Sequence, residues 1–235
     1  MKILAIDSSG LVATVAILEG DNMLAEYTIN YKKTHSQTLL PMLDEIVKQL
    51  DFELETIDAI AVAAGPGSFT GLRIGSATAK GLGLALQKPI IPIPTVDGLA
   101  YNMCGVSQIV CPLMDARRNQ VYTGIYEFKG NTLCTIQPQE AVAIEEVVEQ
   151  INHLGRPVIF LGDGVPVQKD TIAELVKVPY SFAPAHMARQ RAGALGALAF
   201  QYYAQGRVED AREHKPDYLR LSQAERERLE REKAQ

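Results

Sequence analysis

The apolar positions of the chain fall into short runs broken by polar turns. Residues 2–6 are apolar up to Asp7-Ser8-Ser9-Gly10, residues 11–18 resume beyond that turn, and residues 23–30 alternate after Glu19-Gly20-Asp21-Asn22. Runs of this length, bounded by Gly, Asp, Asn and Ser, predict a meander of three strands. The period then changes to that of a helix. From Thr34 or Ser36 to about Leu50, Leu39, Leu43, Ile46 and Leu50 share one face, and Leu40 and Val47 widen it. Pro41 falls in the first turns of this helix and offsets or bends its start. Residues 57–63 read as a buried strand. Gly65-Pro66-Gly67 ends it, because proline lacks an N–H and glycine tolerates positive φ. Ser68 can cap a helix that begins near Phe69.

That helix carries an unusual stripe. Gly71, Gly75, Ala79 and Gly83 recur every four residues and so line one face. Each interior glycine costs about 1 kcal/mol relative to alanine, so four small positions in line imply that another backbone comes very close. A phosphate loop is the competing reading of a glycine turn before a helix. The turn lacks the lysine of GxxxxGK[ST], with Leu72 and Arg73 following Gly71, and its spacing does not fit GxGxxG. The stripe therefore points to packing before chemistry. Lys88-Pro89 closes the helix, residues 90–93 form a short strand bracketed by Pro92 and Pro94, and Thr95 or Asp97 opens a helix to about Cys104.

The pattern then restarts. Residues 109–114 are apolar and end in Asp115, as the first run ends in Asp7. A turn through Arg117-Arg118-Asn119 leads to strands at 120–128 and 133–136, a helix at 143–154, a strand at 157–161, and helices at 167–176 and 188–204. Two meanders, each followed by helices and further strands, predict a duplicated α/β architecture. The lobes are placed at 1–104 and 105–222. Residues 223–235, with alternating charges and a single leucine at 229, read as a frayed or disordered tail.

Composition narrows the function classes. At 47% apolar residues the 235-residue chain can fill a core, and its net charge of −5 argues against nonspecific binding to nucleic acid. Cys104, Cys111 and Cys134 form no CxxC pair and read as buried thiols in a reducing cytosol. The N-terminal run turns polar too early for a signal peptide, and no apolar stretch reaches the ~20 residues of a membrane span.

Chemistry could sit where strands end, since open α/β sheets bind ligands beyond the carboxyl ends of their strands. Asp7, followed by Ser8 and Ser9, and Asp115 are the candidates for a nucleotide site between the halves; alternatively, each aspartate caps its own turn. His35, His153, His186 and His214 form no HxxH or HxxxH pair. Nothing resembles the nucleophile elbow GxSxG. Arg73 projects from the first turns of the striped helix, ready for an anion or an acidic partner.

Three stretches carry a family resemblance: MKILAIDSS at the start, GPGSFTGLRIG at 65–75 and PDYLR at 216–220. Together they resemble the TsaB family, once called YeaZ, whose bacterial members are needed to make threonylcarbamoyladenosine on tRNA. The resemblance spans the chain up to the tail. It implies the two-lobed fold of the actin and sugar-kinase superfamily, and kinship with TsaD, the subunit that transfers the threonylcarbamoyl group. TsaD-type proteins hold a metal with HxxxH; here Thr95 and Leu99 stand at those places, and leucine cannot bind a metal. The resemblance therefore implies a catalytically silent, cytoplasmic protein without a cofactor. Its partners would be TsaD and, through the complex, the ATPase subunit TsaE, with tRNA reached only through the complex and a homodimer formed in isolation. In such a family the partner surface lies on the helices of the first lobe, here Leu39, Leu43, Ile46 and Leu50 with Gly71, Arg73, Gly75, Ala79 and Gly83. On that reading Gly75→Leu blocks assembly without unfolding the lobe. The rival is an ATP-dependent enzyme of the sugar-kinase type, with Asp7, Ser8, Ser9 and Asp115 at a nucleotide site that the leading reading treats as vestigial.

Overall fold

The computed structural model describes residues 1–31 and 34–219; the expected tail at 223–235 and Arg220 of the third motif lie outside them. The first meander is β1 (Lys2–Asp7), β2 (Val12–Glu19) and β3 (Asn22–Asn30), with β1 and β2 antiparallel and β2 and β3 antiparallel. After helix α1 (His35–Leu50), strand β4 (Ala59–Gly65) pairs parallel to β1. Helix α2 (Phe69–Leu86) then leads to β5 (Ile90–Pro94), which pairs parallel to β4. The sheet order is β3-β2-β1-β4-β5. Pro92 and Pro94 therefore sit inside an edge strand, where a missing N–H need not break a ladder.

Beyond α3 (Thr95–Ala100) the same order is built again from β6 (Ile109–Asp115), β7 (Gln120–Lys129), β8 (Thr132–Ala143), β9 (Val158–Leu161) and β10 (Tyr180–Phe182). This second sheet runs β10-β9-β6-β7-β8, with the same antiparallel and parallel pairings in equivalent places. The duplication expected from the strand pattern is thus present strand for strand. Two strands of the second sheet differ from the pattern. β8 continues past residue 136 to Ala143 through Pro138, which an edge strand tolerates. β10 is only three residues long, too short for its periodicity to register.

Helices cover both faces of each sheet. On one face of the first sheet, Leu39, Met42, Leu43 and Ile46 of α1 and Ala79 of α2 join Leu4, Ile6, Val15, Ile17, Ile60 and Val62. On the second sheet, α4 (Ile144–Leu154) and α5 (Val165–Leu175) pack through Val147, Val148, Ile151 and Ile172 against Ile109, Cys111, Leu113 and Phe160. The short helix α3 lies between the sheets, with Val96, Leu99 and Ala100 against Val110, Met114 and Tyr126. It ends at Ala100, and a 3-10 turn at Tyr101–Met103 carries the chain on to Cys104.

The last helix corrects the expected lobe boundary. α6 (Ala192–Ala204) packs on the first sheet, with Leu195, Leu198 and Ala199 in one cluster with Ile3, Ala5 and Ala16. Residues 209–217 then return along α2. The second lobe is thus shorter than 105–222, and the first is made of two separate stretches of chain. α6 is apolar on most of its faces, so its sequence says that it is buried without saying against what. The cysteines also divide: Cys111 is buried as expected, but Cys104 is exposed and Cys134 half-buried, all three as free thiols. No helix among the described residues is long and apolar enough to cross a membrane.

Candidate functional site

The three motif stretches meet at one point, the N-terminal end of α2. Ser68 caps this helix as the sequence predicts, its hydroxyl accepting from the Gly71 N–H at 3.3 Å. The Ser68 N–H in turn donates to the Ser9 carbonyl at 2.7 Å. From the turn after β1, the Ser8 hydroxyl donates to the Gly71 carbonyl at 2.9 Å. The third stretch closes the cluster. Asp217 N–H donates to the Ala64 carbonyl at 2.7 Å, and the Tyr218 ring stacks on Phe69 with centroids 4.5 Å apart and planes 5° apart. Gly65, at φ +127°, occupies backbone space closed to other residues, and a Cβ there would lie 2.0 Å from the Asp217 carbonyl oxygen.

The glycine stripe belongs to this internal packing, which corrects its expected role. A Cβ on Gly71 would stand 2.0 Å from the Ser8 carbonyl oxygen, and one on Gly75 2.6 Å from the Ser8 hydroxyl. Farther along, a Cβ on Gly83 would meet Ala211 at 2.8 Å. The backbone that approaches the stripe is the chain's own. Likewise Leu39, Leu43 and Ile46 are 2%, 5% and 5% exposed, buried on their own sheet, whereas Leu50 is 39% exposed. Of the residues assigned to a partner surface, Arg73 and Leu50 face solvent. Periodicity locates a face; it cannot say whether the covering element is internal or foreign. The Gly75→Leu variant is accordingly expected to disrupt the lobe itself.

The outer side of the same helix carries a second stripe. Arg73, Ala77, Gly81, Leu84 and Ala85 are exposed, and a Cβ on Gly81 would meet nothing within 4 Å. Beside it, α1 exposes Leu40 and Leu50. A strap formed by residues 209–217 runs along the flank of α2 in the opposite direction. It is pinned by the paired backbone bonds of Ile90 and Glu209 at 2.9 and 3.0 Å. Lys80 Nζ adds bonds to the carbonyls of Arg212 and His214 at 2.9 and 3.0 Å. His214 is buried under the strap and pairs with Glu209.

Asp7 and Asp115 end β1 and β6 and each caps its own turn. Asp7 Oδ1 accepts from the N–H and hydroxyl of Ser9 at 2.8 and 2.6 Å. Asp115 Oδ1 accepts from the Arg117 N–H at 2.8 Å, and its own N–H donates to Asp163 Oδ1 at 3.1 Å. Their surroundings differ. Asp7 is buried, and burial pushes its carboxyl up to about 6, against the opposing pull of Ser9 and the His35 charge. Asp115 is exposed, in front of the left-handed run Arg117-Arg118-Asn119. Among the described residues no hydrogen bond or ion pair joins the two aspartates. His35, at the start of α1, shares a hydrogen bond through Nε2 with the Gly10 carbonyl at 2.7 Å.

One buried group escaped the sequence pattern. Asp97 of α3 accepts from Tyr126 of β7 at 2.6 Å and from Tyr202 of α6 at 2.5 Å. Burial holds its carboxyl above the usual range, opposed by the two phenols and the Arg207 charge. Arg207 lies over the Tyr202 ring, 3.6 Å from its centroid. Asp97 thereby ties α3 to an element of each sheet's packing. The signal was an acid in a short run that is otherwise apolar, TVDGLA. Removing one phenol with Tyr202→Phe is expected to cost about 1–2 kcal/mol in urea denaturation; an unchanged midpoint would show that the bond adds no stability. Thr95 and Leu99, at the positions compared with HxxxH, are 0% and 1% exposed.

Residues 22–228 match a family model described as TsaD, tRNA N6-adenosine threonylcarbamoyltransferase. The chain is 34% identical over 99% of its length, and over the whole of the relative, to the tRNA threonylcarbamoyladenosine biosynthesis protein TsaB of Bacillus subtilis strain 168. This chain belongs to the TsaB family. Its relative from Escherichia coli K12, also named TsaB, is 30% identical over 94% of this chain and 95% of its own. The TsaB architecture agrees with a solved structure, YeaZ from Pseudomonas aeruginosa, at a TM-score of 0.79 and 27% identity, covering 93% of this chain and 99% of that one. The two-lobed fold extends beyond the family. The ethanolamine utilization protein EutJ from Carboxydothermus hydrogenoformans aligns at a TM-score of 0.50 with 12% identity, covering 85% of this chain and 90% of that one. At that identity the likeness is one of fold alone.

Proposed function

We propose that this chain serves the biosynthesis of threonylcarbamoyladenosine on tRNA as a noncatalytic cytoplasmic subunit that pairs with a TsaD-type transferase. The observation that carries the role in this modification is the match along 99% of the chain to a relative named for it. The noncatalytic assignment rests on Thr95 and Leu99, neither of which supplies the imidazole that an HxxxH metal site needs. The pairing surface is the outer side of α1 and α2. Ala77, Gly81 and Ala85 admit a partner helix at close range, and Leu40, Leu50 and Leu84 supply apolar area. TsaE joins through the complex, tRNA is met only there, and the same surface pairs two copies of the chain when no transferase is present. Asp7, Ser8, Ser9 and Asp115 are what remains of a nucleotide site.

Size exclusion with light scattering tests the reading on the purified chain alone and mixed with the transferase homologue. The expected result is a homodimer that converts to a 1:1 heterodimer. In Gly81→Leu, whose new side chain enters open space, both assemblies should weaken by about tenfold or more while the circular dichroism spectrum stays native. A monomer that ignores the transferase would reject the pairing. Steady hydrolysis of Mg-ATP by the isolated chain would instead support the ATP-dependent enzyme.

A further inference from the structure

The end of the strap and the start of α2 build a small receptor beside the proposed pairing surface. Tyr218 is 37% exposed, yet its ring lies flat on Phe69. Backbone bonding of Asp217 to Ala64 holds it there. The Tyr218 hydroxyl accepts from Arg73 Nε at 3.3 Å. That contact engages one of the guanidinium's five N–H groups. The two terminal nitrogens have no hydrogen-bond or ion-pair partner among the described residues, and the side chain faces solvent on the same side of α2 as Ala77 and Gly81. A guanidinium anchored through Nε keeps its two-pronged edge free, and that edge matches an anion with two oxygens.

We propose that Arg73, set in place by Tyr218 on its Phe69 platform, seats a carboxylate of the partner protein at the edge of the α1–α2 contact. The inference rests on the pairing reading and names a polar anchor for it. Three features favour a protein carboxylate. The receptor continues the open helix face that would receive a partner helix. An exposed tyrosine stacked on a half-buried phenylalanine, next to an arginine, is the composition of an interface anchor. The chain's net charge of −5 disfavours a nucleic acid phosphate. The strap then has a role in recognition: without Tyr218 in place, Arg73 loses the contact that orients it and must be ordered when the partner arrives.

The test measures binding of the full-length chain to the transferase homologue by calorimetry at two salt concentrations. Arg73→Lys keeps the charge and loses the fork. It should weaken binding by about tenfold while leaving the salt dependence close to that of the native chain. Tyr218→Phe keeps the stack and loses only the hydroxyl; it should weaken binding by about threefold with an unchanged melting temperature. Gly81→Leu is measured alongside. If Gly81→Leu blocks binding while both other variants bind within twofold of the native chain, the receptor is rejected and the pairing surface stands. If all three bind normally, the pairing surface itself is rejected. If Arg73→Lys weakens tRNA retention by the complex but leaves protein affinity unchanged, the anion is a phosphate and the proposal is overturned.

Discussion

Gly71→Ala is expected to lower the stability of the chain by about 3 kcal/mol or more, a fall of roughly 10 °C in melting temperature for a domain of this size. One methyl group does this because of where it points. The Cβ would stand 2.0 Å from the Ser8 carbonyl oxygen, a backbone atom that is not free to swing aside. Ser8 is itself tied to the helix through its hydroxyl bond to the Gly71 carbonyl. Relief requires α2 to lift from the turn after β1, which would open the cluster that joins the three motif stretches. Helix propensity works the other way, favouring alanine by about 1 kcal/mol, and is too small to offset the clash. Gly81→Ala is the control. The same substitution in the same helix meets open space and should raise stability by about 0.5–1 kcal/mol. Equal melting temperatures for the two variants would show that the helix does not press on Ser8 as described.

Asp7→Asn should stabilise the chain at pH 7 and erase a pH dependence. Burial raises the carboxyl of Asp7 from an ordinary 3.8 to about 6. The folded chain therefore holds a proton that the unfolded chain has released. The contribution of this group to stability is full below about pH 4, declines as pH rises through 6, and levels off above it. A rise of about two pH units corresponds to about 3 kcal/mol at neutral pH. Asparagine removes the charge and keeps an oxygen for the two Ser9 bonds, but its amide group adds two donors. The expected net gain at pH 7 is thus about 2 kcal/mol. Chemical denaturation at pH 4.5 and pH 7.5 should show the native chain losing stability between them from this group, and the variant losing less. Parallel profiles would mean that Asp7 is solvated in the folded state. A carboxylate whose charge opposes folding is the kind of residue that site chemistry retains.

The strand framework was legible because apolar runs of strand length are separated by Gly, Asp and Asn turns, and because the same arrangement occurs twice. The Ser68 cap and the glycine stripe were legible for a related reason, as both are local in sequence. What the stripe packs against was not. Gly71 meets Ser8, more than sixty positions away, and Gly83 meets Ala211. Spacing along a helix contains no record of those partners. The position of α6 was hidden in the same way, since an all-round apolar helix fits any buried slot. Asp97 reads from sequence as a possible helix start and not as a buried acid, because its two phenols come from β7 and α6, each far away in the sequence. Of the residues that sequence reading assigned to a partner surface, Arg73 and Leu50 face solvent, and the others lie on the inner faces of their helices, because spacing alone does not tell the two faces apart.

The return of α6 to the first sheet has a consequence for synthesis. The face of that sheet bearing Ile3, Ala5 and Ala16 is made within the first strands, but Leu195 and Leu198 that cover it are synthesised well over a hundred residues later. At about 5–20 residues per second, that face waits on the order of ten seconds or more with its apolar side uncovered. The second sheet has no such delay, because its strands and the helices α4 and α5 form one continuous stretch. The nascent chain would thus complete its later half first, and a ribosome stalled before residue 192 would present an exposed apolar sheet to chaperones.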